Sequence, residues 1–103
     1  MSDPQKAIGA SSERSRKKYA LQLFITGATP DSTRAIANMK AICEQYLKDN
    51  YRLEIIDVYL EKELARQKQI VALPMLIKIF PLPERKLIGD MSKTEKVLEA
   101  LGI

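Results

Sequence analysis

Residues 19–58 spell a strand, a helix and a second strand, with connections too short for any other path than a crossover. Residues 19–26, YALQLFIT, alternate. Leu21, Leu23 and Ile25 share one side and Ala20, Gln22 and Phe24 the other, which is the two-residue period of a strand. TGATP follows as a turn. Thr29-Pro30-Asp31 then reads as a helix start: the threonine caps, the proline suits the first helical position, and the aspartate favours the positive end of the dipole. From Ser32 to Leu47, Ala35, Ile36, Met39, Ile42, Cys43 and Tyr46 recur at threes and fours, predicting one helical stripe. Lys48-Asp49-Asn50 ends it. Residues 51–58, YRLEIIDV, are rich in β-branched side chains and read as the second strand. Two strands joined through one helix must run parallel, with a right-handed crossover.

The second half is less regular. Residues 60–69 predict a short helix with little apolar surface, Leu60, Leu64 and Ala65. The stretch Ile70 to Phe80, IVALPMLIKIF, then reads as a buried strand with a proline inside it. Proline cannot donate to a sheet ladder, so Pro74 belongs at a strand's first position or beside a special bond. Met75, Ile77 and Ile79 face one way, and Leu76, Lys78 and Phe80 the other. PLPE makes a stiff turn into RKLIGD, an antiparallel hairpin. SKTEKVLEALGI closes as a helix, with Ser92 and Glu95 at capping-box spacing and Val97, Leu98 and Leu101 as its buried stripe.

The element order βαβαββα, with a proline opening the third strand, resembles the thioredoxin fold. That resemblance implies an α/β domain whose central mixed four-stranded sheet is flanked by three helices. It also implies a structural Pro74, usually with a cis peptide bond before it; a trans proline at a strand's first position is the alternative. The domain is expected over residues 18–103. Residues 1–17 are expected to be a disordered basic leader, since they are polar and lack apolar periodicity.

Composition excludes several chemistries. The chain has one cysteine and no histidine, so it can form no internal disulfide, no Cys/His zinc site and no histidine-based triad. Thioredoxin-like oxidoreductases carry cysteine at the first strand–helix turn; here that turn is Thr26-Gly27-Ala28-Thr29-Pro30. Cys43 lies on the apolar stripe and reads as core. Gly27 stands alone, without a phosphate-binding loop. Glu54, Asp57, Glu61 and Glu63 form no recognisable acid–base pair, although Asp57 ends a strand where sites often lie. No catalytic residue, cofactor or metal is expected. Arg14, Arg16, Lys17 and Lys18 form a basic arm within a net charge of +4, but no aromatic residues are interleaved, so nucleic acid is not an expected partner. The N-terminus has no secretory apolar region and no run suits a membrane span, which predicts a cytoplasmic protein.

LFITGATPDSTRAI, YRLEIIDV, ALPMLIKIFPLPERKLIGDMS and EKVL together resemble the KaiB family of cyanobacterial circadian-clock proteins, over about 85 residues from Tyr19 onward. The resemblance implies a non-enzymatic protein that binds the hexameric ATPase KaiC. It also implies help in recruiting KaiA and displacement of a sensor histidine kinase. It further implies two folds, a thioredoxin-like monomer that binds KaiC and a tetramer wired differently in its second half. Arg34, Arg85 and Lys86 match family positions expected to contact the partner. Lys68 and Gln69 fall where the family is acidic and where it carries a lysine, so they are candidate partner-binding positions of altered charge. After EKVL the family continues with a Gly-Leu-Asp-Leu-Leu-Tyr-like segment; this chain has Ala100 in place of the glycine and reads Leu101-Gly102-Ile103. Alanine is the better helix former by about 1 kcal/mol, so Ala100 is expected to favour the thioredoxin-like monomer, with the tetramer as the alternative.

Overall fold

A computed structural model describes residues 18–103. The leader expected over residues 1–17, with Arg14, Arg16 and Lys17 of the basic arm, lies outside the described residues. Strand β1 (Tyr19–Ile25) leads into helix α1 (Pro30–Ile42), which runs on into a π-helical turn (Cys43–Leu47). Then come β2 (Tyr51–Asp57), α2 (Lys62–Gln67), β3 (Met75–Phe80), β4 (Arg85–Ile88) and α3 (Thr94–Leu101).

The sheet order is β2-β1-β3-β4. β1 and β2 are parallel, with Tyr19 opposite Tyr51 and Ile25 opposite Asp57. β3 is antiparallel to both β1 and β4. The alternation in β1 splits the core in two. Leu21, Leu23 and Ile25 pack under α1, the π turn and α3, against Met39, Ile42, Cys43, Val97 and Leu101. Phe24 faces the other side with Ile56, Met75 and Ile77. That side is thin: α2 has six residues and none is buried.

Thr29 caps α1 as expected, its Oγ1 accepting from the Ser32 N–H at 3.2 Å, with Pro30 in the first turn. The α1 stripe differs at its end. Tyr46 is 40% exposed and Leu47 is buried in its place. The cause is the π turn, in which the Lys48 N–H bonds to the Cys43 carbonyl at 2.8 Å. That wider turn adds one residue and advances the stripe by one position. The Ser92–Glu95 capping box does not form. α3 starts after Lys93, with no side-chain cap, and the Ser92 N–H bonds instead to Asp90 Oδ1 at 3.0 Å.

β3 begins only after Pro74, and the Leu73–Pro74 bond is cis, as are Phe80–Pro81 and Leu82–Pro83. Pro74 has no N–H to offer, but its carbonyl accepts from the Gly89 N–H at 3.0 Å. The proline thus closes the open end of the β3–β4 hairpin through its acceptor. Residues 94–101 are helical. Gly102, at φ +81°, ends α3: its N–H bonds to the Glu99 carbonyl at 3.1 Å and the Ile103 N–H to the Leu98 carbonyl at 3.0 Å. This is the left-handed termination that glycine adopts at no steric cost, and Ala100 sits two residues before it, in the last turn.

Candidate interaction surface

The β1–α1 turn faces Pro74 across a shallow depression of about 340 Å³. In a redox protein of this architecture two cysteines would stand there three residues apart. Here the two positions carry hydroxyls. Thr29 Oγ1 donates to Ser32 Oγ at 2.9 Å, and Ser32 Oγ also accepts from the Thr26 N–H at 3.0 Å. Ser32 is 1% exposed, so a fully bonded polar knot fills the turn. The i, i+3 spacing of Thr29 and Ser32 was the available signal for it.

The one thiol is elsewhere. Cys43 is fully buried in the larger core, and burial, aided by the neighbouring Glu44 charge, pushes its pKa up to about 11. At pH 8 only about one thiol in a thousand would be ionised, and the thiolate is the reactive form. Native protein is expected to resist a thiol reagent at pH 8 for hours and to react with one equivalent once unfolded in urea. Rapid labelling of folded protein would show that Cys43 is accessible. Asp57 proves to be a cap: its Oδ1 accepts from the Tyr59 N–H at 2.9 Å and so shapes the turn after β2.

The five candidate contact residues do not form one cluster. Lys68, Gln69 and Lys86 come together, because β4 lies beside the end of α2. Lys86 Nζ donates to the Lys68 carbonyl at 3.3 Å, placing a cation at the negative end of that helix. Gln69 has φ +58°. Its N–H bonds to the Arg66 carbonyl at 3.0 Å and the Ile70 N–H to the Ala65 carbonyl at 3.1 Å, a left-handed helix termination. Gln69 therefore does backbone work as well as presenting an amide.

Arg85 points to the opposite side of β4. It lines a groove of about 250 Å³ with Lys86, Leu87, Lys96, Glu99 and Ala100, and its side chain makes no ion pair among the described residues. Arg34 stands apart from the other four. Its Nε donates to Asp90 Oδ2 at 3.1 Å, and the far end of its guanidinium pairs with Asp31. Bonding to Asp90 raises the Arg34 pKa above its ordinary value. The Asp90 carboxyl is in turn held below the usual range, first by its bonds with Ser92 and then by Arg34.

One further cation, in the sequence no more than a strand residue, stands inside the fold. Lys78, on the same side of β3 as Leu76, is only 4% exposed. Arg85 stands directly across the ladder from it. Burial, and then the Arg85 charge, lower its pKa. Its parity with Leu76 was the one signal in the sequence.

The fold and these motifs have relatives. The N-terminal domain of Synechococcus elongatus SasA superposes with a TM-score of 0.68 at 23% identity, covering 84% of this chain and 85% of that one. The Drosophila melanogaster thioredoxin Deadhead superposes with a TM-score of 0.69 at 13% identity, covering 96% and 94%. Both show the thioredoxin-like fold. The circadian clock oscillator protein KaiB of Gloeothece citriformis is 46% identical over 88 residues, 85% of this chain and 83% of that protein. Its counterpart in a Nostoc species is 44% identical over 90 residues, 87% of this chain and 83% of that protein. The KaiB domain family matches residues 22–103, and with identity at this level across most of its length the chain belongs to the KaiB family.

Proposed function

We propose that this chain is a non-catalytic clock-type regulator that binds a KaiC-type ring ATPase in its thioredoxin-like, monomeric arrangement. The observation that carries this reading is the hydroxyl knot of Thr29 and Ser32 at the turn where a redox relative needs thiols. The scaffold keeps its shape and lacks its chemistry, which leaves binding as its use. Arg85 and Lys68, whose side chains make no ion pair among the described residues, are its leading contacts, supported by Gln69 and Lys86. Ala100 within α3 and the glycine termination after it favour the helical arrangement of the second half.

The test is size-exclusion and fluorescence-anisotropy titration of the chain against a purified cyanobacterial KaiC ring. Binding with Kd in about the micromolar range, lost in Arg85→Glu and accompanied by no disulfide reductase activity, is expected. A ring that stays free at about 100 μM chain (a binding free energy weaker than about −5.5 kcal/mol) would end this reading.

A second reading has a specific basis. Arg66, Lys68 and Gln69 stand where the family resemblance implies acidic residues and a lysine, and charge complementarity governs partner choice. On that reading the chain is a thioredoxin-like adaptor for a different partner, in stress signalling or with a sensor histidine kinase. Restoring acidic residues at 66–68 would then create KaiC binding that the natural chain lacks.

A further inference from the structure

Arg34 and Asn38 stand one turn apart on one face of α1. Both reach the same distant residue. Arg34 Nε donates to Asp90 Oδ2 at 3.1 Å, and Asn38 Nδ2 donates to the Asp90 backbone carbonyl at 2.9 Å. The remaining oxygen of that carboxylate accepts the Ser92 N–H at 3.0 Å. Asp90 is thus gripped by α1 through side chain and main chain together, across a separation of more than fifty residues in sequence.

The residue that follows explains why such a grip is needed. Met91 has φ +64°, a left-handed conformation uncommon for a side chain of this kind. It is 3% exposed and inserts into the larger core. A strained residue of this sort persists only where its surroundings over-determine it. α3 has no side-chain cap of its own. The path from β4 to α3 is therefore set from outside, by α1. α3 then supplies Lys96, Glu99 and Ala100 to the groove that Arg85 lines.

We propose that Arg34 serves partner binding as a positioning residue: through Asp90 it fixes α3 against β4 and so shapes the groove that Arg85 lines, without itself touching the partner. This rests on the reading of that groove as a partner face. The experiment compares Arg34→Gln, Asp90→Asn, Asn38→Ala and the charge-swapped pair Arg34→Asp with Asp90→Arg, all in the full chain. Two quantities are read: amide hydrogen exchange over residues 91–97, and Kd for the purified KaiC ring.

Each single variant is expected to speed exchange there and weaken binding by a similar factor, about three- to tenfold, the range of a partly exposed charge network. The charge swap is expected to recover only the share carried by the Arg34–Asp90 bond, and to move exchange and binding back together, because arginine at 90 cannot accept the Ser92 N–H and aspartate at 34 stands beside Asp31. Binding weakened by Arg34→Gln but unchanged or tightened by Asp90→Asn would overturn the proposal and make Arg34 a direct contact. So would exchange that none of the variants alters. A ring that the natural chain does not bind would remove the partner reading alone, and the exchange data would still decide whether the clasp holds α3.

Discussion

Replacing Phe24 by alanine is expected to cost about 3–5 kcal/mol of folding stability. Phe24 is fully buried at the centre of the smaller core, among Ile56, Met75 and Ile77. Among the described residues the only helix over that side, α2, buries none of its own residues; it contributes partly buried Leu64 alone. Ile56 lies on β2 and Met75 and Ile77 on β3, strands held to β1 by their ladders, so these neighbours cannot move far into the cavity that a lost phenyl ring leaves. A domain of this size has about 5–15 kcal/mol in total, and the variant should be close to unfolding at 37 °C. Urea unfolding measures it. Leu82→Ala, at a site 75% exposed, is the control and should shift stability by no more than about 0.5 kcal/mol. Equal midpoints for the two variants would mean that Phe24 does not anchor the second core.

The second large effect has the opposite sign. Lys78→Met is expected to stabilise the protein by about 1–3 kcal/mol, within the range seen when buried charges give way to apolar side chains of similar size. Lys78 pairs with no carboxylate among the described residues and faces Arg85. Its one compensation is position: its Nζ lies 3.9 Å from where a Cβ on Gly102 would be, at the negative end of α3. Since burial lowers the folded-state pKa, the unfolded chain binds that proton more tightly. The Lys78 contribution to stability should therefore rise with pH, from the lowered folded value up to the unfolded value near 10.4, and be flat below that window, while the raised Cys43 thiol acts in the opposite sense above about 8.5, so the measure is the gap between natural protein and variant. The methionine variant should lose this alkaline rise. Thermal melts at pH 7 and pH 10 test both claims. A destabilised Lys78→Met would show that the ammonium at the end of α3 contributes more than its desolvation costs.

The sequence carried the local structure well because local structure has local causes. The alternation over Tyr19–Ile25 and the three-and-four spacing over α1 state which side of each element is apolar. Thr29-Pro30 marks where the helix starts because capping is settled within four residues. The short connections then force β1 and β2 to be parallel. Ala100 and Gly102 are helix-interior and helix-ending residues by their backbone preferences alone.

Other features escaped the sequence because each depends on a residue far away in the chain. The π turn put Leu47 inward and Tyr46 outward to suit the packing under β1. Ser92 looked like a cap, yet Asp90, held by Arg34 and Asn38 from α1, captured its N–H. Among the candidate contacts, charge and motif position could not distinguish Arg85, left open in a groove, from Lys86, which caps α2, or Arg34, which binds a loop more than fifty residues away.

By itself, the sequence determined the strands and helices, their apolar faces, the parallel β1–β2 pair and the family, since periodicity, capping and motif are properties of neighbouring residues. Only the tertiary structure decided how deeply Lys78 is buried, which cations are spent on internal bonds and which remain open to a partner. Burial and charge pairing depend on what lies opposite in space, and a one-dimensional pattern does not contain that.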